Sequence, residues 1–296
     1  MVFITGATGF IGGYISRELC RMGFDLRCLA RRASDTSRIP KQGAQVVIGD
    51  IGDRDFLKEA MNGCDVAIHA AAAITATTNS GYLSKVNTAG TANMVDAAVE
   101  SGVKKFIFIS SMDVLFDPES EYARSKFEAE RIVGTSSLRS FFIIRPSLVY
   151  GKEDTKNISL LVRLVKKTPI IPITGNGMFR WQPLYIEDLV ECVADVVSDT
   201  QRESSFINIA GPSRITFNEL IDTICEELGV KRGRVFVPSI ILKVLEKLFG
   251  FVGPGKTIGR ILASSRDKIV EEGTDISLEE GRTDFRLGMK KMLGKG

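Results

Sequence analysis

Tyr122 and Lys126 stand four residues apart in a segment with helical patterning, so both side chains leave one face. Ser110 and Ser111 close an apolar run that starts at Lys105, one element earlier. A phenol with a pKa of about 10 is a poor base at neutral pH. An ammonium one turn away favours the phenolate, so Lys126 is expected to lower the Tyr122 pKa. Tyr122 is then placed to give or take the proton of a substrate hydroxyl or carbonyl, with Ser111 bonded to the same oxygen. The spacing Tyr-x-x-x-Lys is common by chance. Its weight comes from the serines one element upstream and from a second motif at the start of the chain.

That second motif is Thr5-Gly6-Ala7-Thr8-Gly9-Phe10-Ile11-Gly12, directly after a short apolar strand and opening a helix. Gly6 suits the tight turn, Gly9 lets backbone approach a pyrophosphate, and Gly12 lets the helix pack on the sheet. The phosphates would lie on the helix N-terminus, where free N–H groups and the dipole favour anions. The expected ligand is therefore a nicotinamide dinucleotide, with Thr8, Phe10 and Ile11 beside it. An NAD-selective turn carries Asp or Glu at the end of the second strand. Here that position reads Ala30-Arg31-Arg32, with Ser34 close behind, and guanidinium forks suit a 2′-phosphate. NADP is thus the preferred cofactor and NAD remains possible. Asp50 and Ile51 would flank the adenine, and Ala70, Ala71, Ala72 and Ala73 would form a floor of small residues. His69 reads as a packed strand-end residue rather than a catalyst.

Composition narrows the alternatives. The 296 residues are 44% hydrophobic and 25% charged, with a formal net charge of +3. That balance is ordinary for a globular protein and gives no electrostatic footprint for nucleic acid. A single histidine, and cysteines at Cys20, Cys28, Cys64, Cys192 and Cys225 without paired spacing, leave little for a metal site or a Ser/His/Asp triad. No metal is expected. Scattered thiols point to a reducing, cytoplasmic setting. No run approaches the ~20 apolar residues of a spanning helix, and the chain opens on a strand rather than a leader.

The patterning also gives the positioning elements. Strands are expected at Val2 to Thr5, Leu26 to Ala30, Ala44 to Ile48, Asp65 to His69, Lys105 to Ser110 and Phe141 to Arg145. Helices are expected at Phe10 to Met22, Asp53 to Met61, Tyr82 to Ser101 and Tyr122 to Val133. Continuous apolar strands alternating with helices predict a doubly wound parallel α/β sheet covered on both faces. After Gly151 the rhythm shortens, with strands at Ile170 to Ile173, Leu184 to Ile186 and Phe206 to Ile209. Helices there are expected at Glu187 to Ser198 and at Phe217 to Leu228, the latter behind a Thr216/Glu219 capping box. The expected organisation is a dinucleotide-binding domain over 1–151 and a smaller α/β substrate lobe over 152–296, the chain crossing back into the first domain around 184–210.

With these residues in hand, the chain resembles the extended short-chain dehydrogenase/reductase family, the NAD(P)-dependent epimerase/dehydratase group. The resemblance is carried by the glycine turn, Gly49-Asp50-Ile51, His69 to Ala73, Asn87 with Gly90-Thr91, Ile109 to Ser111, Tyr122 to Lys126, Arg145 to Gly151, Pro183 to Leu189 and Asn208 to Thr216. It implies a Rossmann domain, with Ser111, Tyr122 and Lys126 catalytic and Lys126 also on the nicotinamide ribose. It also implies Ser110, Asn87, Pro146 and Ser147 near the cofactor, Asn87 as a helix-kinking support. Ala73, Ser111, Met112, Leu148, Arg180 and Trp181 would face the substrate. The run 175–189 is further similar to the dinucleotide-binding accessory subunits of respiratory complex I.

Several positions depart from the sugar-nucleotide members of that family. Leu148 stands where many have Asn, Trp181 where many have a diphosphate-clamping Arg, and the pair after Ser111 is Met112-Asp113 rather than two acids. Ser239 to Val252 has the apolar spacing of an amphipathic helix, which packs on the lobe, lines an apolar mouth or rests on a membrane surface. Three readings stay open at this point. The first is an oxidoreductase or epimerase acting at a secondary alcohol or ketone, as of a nucleotide sugar. The second is a reductase of an apolar carbonyl compound, and the third a cofactor-binding assembly protein without turnover. The expected partner is a small molecule, with a homodimer left open.

Overall fold

A computed structural model describes residues 1–74, 81–238, 266–270 and 282–295. Strands and helices are numbered along the chain. Seven strands build one parallel sheet: β1 (Val2–Thr5), β2 (Leu26–Ala30), β3 (Ala44–Ile48), β4 (Val66–His69), β5 (Lys105–Ile109), β6 (Phe141–Pro146) and β11 (Ser205–Ile209). Their spatial order is β11-β6-β5-β4-β1-β2-β3. The chain therefore winds outward from β1 to β3, returns to β4 beside β1, and winds the other way. Right-handed crossovers in opposite directions place helices on opposite faces of the sheet. The reversal between β1 and β4 marks where ligands bind in open α/β sheets, beyond the carboxyl ends of the strands.

The helices are α1 (Phe10–Arg21), α2 (Arg54–Met61), α3 (Gly90–Glu100), α4 (Asp113–Phe116) and α5 (Glu121–Gly134). Helices α2, α3 and α5 close one core with the sheet, in which Leu57, Met61, Met94, Ala98, Ala129 and Val133 meet Phe3, Phe106, Phe108 and Ile143. Alternation of strand and helix thus forms the expected Rossmann-type fold. Two local features differ from the pattern reading. The expected helix over Tyr82 to Ser101 is a π-helical turn at Ser84–Ala89 followed by α3. Strand β3 is partly exposed rather than buried on both faces, because it ends the sheet.

Two compact units divide the described chain. The first comprises Met1–Pro146 and Leu189–Ile209, so the chain re-enters the sheet after a long excursion. The second contains Ser147–Asp188 and most of the chain from Ala210 onward. It is built from short pairings of β7 (Val149–Tyr150) with β10 (Leu184–Tyr185), β9 (Arg180–Trp181) with β12 (Ile215–Thr216), and β8 (Ile170–Thr174) with β13 (Gly233–Val237). It also holds α6 (Ile158–Lys167), α8 (Phe217–Leu228) and α9 (Phe285–Leu293), and α7 (Ile186–Ser198) begins in it and ends in the first unit. The Thr216/Glu219 capping box is formed as its sequence predicts. The amphipathic segment at 239–252 lies outside the described residues.

Candidate active site

Strand β1 ends in the glycine turn, and α1 starts at Phe10 with Gly9 as its cap and no side-chain hydrogen bond closing its N-terminus. The first turn of α1 holds no acidic residue, so its N–H groups face an environment suited to an anion. Gly6 has φ of +78°, and a Cβ there would lie 2.6 Å from the Ala70 carbonyl carbon. A Cβ on Gly9 would lie 3.1 Å from the Gly6 carbonyl oxygen. The turn is thus a cradle closed to side chains but open to a ligand's backbone contacts.

A cleft of about 290 Å³ opens beside this turn. Thr5, Gly6, Thr8 and Gly9 form one wall, Arg31, Ser34, Asp50 and Ile51 a second, and Ala70 to Ala73 the floor. These are the carboxyl ends of β1 to β4, brought together by the sheet. Gly49 of the Gly49-Asp50-Ile51 motif lines it too, as do Leu29, Ala30, Tyr82 and Val86, which were not among the expected site residues. Their signal was only their place at strand ends and on the helix beyond the floor. Arg32 is exposed and does not line the cleft, and the residues Phe10, Ile11 and Gly12 lie in the first turn of α1. A shallower depression around Arg27, Gln45 and Phe56 starts from the opposite strand ends and gathers no comparable chemistry.

Two residues from the cofactor expectation spend their side chains on the protein. The Asn87 amide accepts from the Ala73 N–H at 2.8 Å and donates to the Ala73 carbonyl at 2.8 Å and to Ser125 Oγ at 2.9 Å. It lies inside the π-helical turn, and its bonds tie that turn to the cleft floor and to α5. Ser110 donates to Glu130 Oε1 at 2.5 Å, and Glu130 is gripped by Arg145 through Nε at 2.9 Å and Nη2 at 2.6 Å.

Ser120 caps α5, its hydroxyl accepting from the Ala123 N–H at 3.1 Å, and this sets where Tyr122 and Lys126 emerge. Ser111 Oγ accepts from the Asp113 N–H at 3.1 Å, and its side chain lies near enough to the Tyr122 phenol to act on it. Ser111 is thus next to Tyr122, while Lys126 leaves the same helix one turn on. The electrostatics differ from expectation. Burial, and then the Asp113 charge, push the Tyr122 phenol above its ordinary range, while the Ser111 side chain pulls the other way. Lys126 does not produce the expected lowering, because it is itself buried. Its Nζ donates to the Ile109 carbonyl at 2.7 Å and lies 4.0 Å from the Phe108 ring centroid. Burial lowers the Lys126 ammonium to about 7, with Glu130 opposing that shift.

The remaining expected site residues are divided between the two units. Ala73 is on the cleft floor, and Met112 is buried. Pro146 ends β6 in the first unit. In the second unit, Ser147 donates to the Gln182 carbonyl at 2.6 Å and Leu148 is half-buried. Arg180 is exposed and pairs with Asp267 at 3.6 Å. Trp181 packs against Phe179 and Phe217 at ring distances of 5.8 and 5.2 Å, inside an aromatic core. Among the described residues no cluster of His, Cys, Asp or Glu could hold a metal, and no helix is long and apolar enough to cross a membrane.

Residues 2–210 match the model of the NAD dependent epimerase/dehydratase family, and the chain is an enzyme that belongs to it. A UDP-glucose 4-epimerase from Vibrio cholerae is 26% identical over 273 residues, which cover 84% of this chain and 82% of that protein. A ceramide reductase from Caulobacter vibrioides is 34% identical over 188 residues, covering 64% of this chain and 58% of that protein. The solved structure of MoeE5 in complex with UDP-glucose and NAD superimposes with a TM-score of 0.77 at 21% identity, covering 99% of this chain and 97% of that one.

Proposed function

We propose that this enzyme interconverts a secondary alcohol and a ketone, with a nicotinamide dinucleotide in the cleft of the first unit and Tyr122 as proton donor and acceptor. The observation that carries this reading is the placement of Ser111 and the buried Tyr122 phenol beside one another at the carboxyl end of the sheet that also bears the glycine cradle. Gly6, Gly9, Gly12 and the N-terminus of α1 suit the pyrophosphate, and Ala70 to Ala73 suit a flat ring. Arg31 and Ser34 in the cleft wall, with Arg32 beside them, favour NADP(H) over NAD(H) through a charge-assisted contact to a 2′-phosphate. A bound dinucleotide supplies the hydride donor or acceptor. Tyr122, whose phenol burial keeps protonated, delivers its proton to a substrate oxygen that Ser111 also holds, and takes it back in the reverse direction. Lys126 orients ribose hydroxyls.

The substrate of the leading reading is a nucleotide sugar, supported by the epimerase relative that matches along most of its length. The second unit, which covers most of the 152–296 region, is the substrate lobe of this reading. A second reading, reduction of an apolar ketone, is favoured by the protonated phenol, by Leu148 and by the ceramide reductase relative. We place the protein in the reducing cytoplasm, in keeping with its free thiols. The test is a thermal-shift panel of UDP- and dTDP-sugars run with NADPH, alongside NADPH oxidation by long-chain ketones. A sugar-nucleotide shift supports the first reading, and ketone-dependent oxidation without one supports the second. No turnover with either class counts against both.

A further inference from the structure

We propose that His69 is a positioning residue that ties the floor of the dinucleotide cleft to the helix carrying Tyr122. This rests on the functional reading above for its consequence, though not for its geometry.

His69 is fully buried at the end of β4, and both ring nitrogens are engaged. Nδ1 lies 2.7 Å from Thr5 Oγ1, and Nε2 lies 3.1 Å from Thr91 Oγ1. The neighbours decide the direction of each bond. Thr91 Oγ1 donates its only proton to the Asn87 carbonyl at 2.5 Å, so it accepts from His69, which places the ring proton on Nε2. Nδ1 is then an acceptor, and Thr5 Oγ1 donates to it while accepting from the Ala71 N–H at 3.3 Å. On one side the chain of bonds ends at the floor peptide of Ala71. On the other it runs through Asn87, which clamps the Ala73 peptide and donates to Ser125 Oγ. Ser125 in turn donates to the Tyr122 carbonyl at 2.7 Å. The ring is locked from its face by stacking on Phe108, 5.6 Å between centroids. Burial keeps the imidazole neutral, and the positive charge of Lys126, over the same Phe108 ring, adds to this. A neutral ring in a single tautomer joins β1, β4, the π-helical turn and α5 through directional bonds, which an apolar residue of the same size would not do.

The chain has one histidine, so 15N-histidine labelling reports this ring alone. The wild-type protein should show the Nε2–H tautomer at pH 5 to 7, with its signal moving when NADPH is added. Two substitutions divide the ring's duties. His69→Asn can keep the acceptor toward Thr5, and His69→Gln can keep the donor toward Thr91. His69→Gln should raise the NADPH Kd roughly tenfold, because it frees Thr5 and the floor. His69→Asn should leave that Kd within about twofold, and should speed amide exchange at Ala73 and in the first turn of α5. An Nδ1–H tautomer, a ring that titrates near its ordinary value, or equal NADPH affinities for the two variants each overturn the proposal. Wild-type protein that binds neither NADPH nor NADH overturns the dinucleotide reading and the coupling built on it, whatever the tautomer.

Discussion

The Tyr122 phenol is under opposed influences: burial and Asp113 hold its proton on, and the Ser111 side chain loosens it. Tyr122→Phe removes the transferable proton and leaves the glycine turn untouched. Turnover should fall by a factor on the order of 10² or more, with NADPH affinity unchanged, as steady-state kinetics and calorimetry would show. Wild-type turnover in that variant would rule out Tyr122 as the acid. Arg31 answers a different question. NADPH should bind more tightly than NADH by roughly 1–3 kcal/mol, and Arg31→Ala should reduce that gap. Calorimetry giving equal affinities in the wild type would sink the preference. His69 sets an acid-side dependence. Burial, and then the Lys126 charge, lower it from 6.5 to about 3, so the folded chain keeps the ring neutral where the unfolded chain protonates it. The unfolded state therefore binds more protons, and stability falls as pH drops below 6.5, with a slope of at most ~1.4 kcal/mol per pH unit. Urea titrations between pH 6.5 and 5 should show this slope, and His69→Asn should flatten it even though it lowers stability throughout.

At the scale of elements, α5 shows how a helix places chemistry. Its inward stripe holds Ala123, Lys126, Ala129, Glu130 and Val133, so two charged residues are carried into the core with the apolar ones. Glu130 is tolerated there because Arg145 from β6 and Ser110 from the end of β5 satisfy it, its side chain being 3% exposed and that of Arg145 15%. Such a pair adds little net stability compared with apolar residues, but removing one partner strands the other. Glu130→Ala should cost about 3–5 kcal/mol in chemical denaturation. It should also lower the Lys126 ammonium further, since Glu130 is the charge that supports it. A loss below about 1 kcal/mol would mean that Arg145 finds another partner.

For the molecule as a whole, a ligand that binds only the folded state stabilises it by mass action, about 2.7 kcal/mol at a hundred times Kd. NADPH should therefore raise the melting temperature of the wild-type protein. In Gly9→Val the added side chain crowds the Gly6 carbonyl in the cradle, so the shift should vanish while circular dichroism stays native-like. A retained shift would place the dinucleotide elsewhere and remove the basis of the functional reading.

Whatever depends on neighbours along the chain was legible before any folding was considered. Continuous apolar strands, the strand–turn–helix context of Gly6, Gly9 and Gly12, the Thr216 capping box and the four-residue spacing of Tyr122 and Lys126 are local patterns of this kind. Short-range periodicity reports which face is buried and which conformation a residue tolerates. Features that depend on residues far apart were settled by tertiary packing. The resemblance gave Asn87 as a helix-kinking support, but nothing near it in the chain announces that its amide clamps Ala73 across the cleft floor. Nothing around Ser110 reveals that its hydroxyl turns to Glu130, and nothing around Trp181 that it is enclosed by Phe179 and Phe217. The Lys126 ammonium was expected to act on Tyr122 because spacing gives proximity. Burial reversed the result, because the free energy of a charge depends on the dielectric around it, and that is a property of the packed interior rather than of any stretch of sequence.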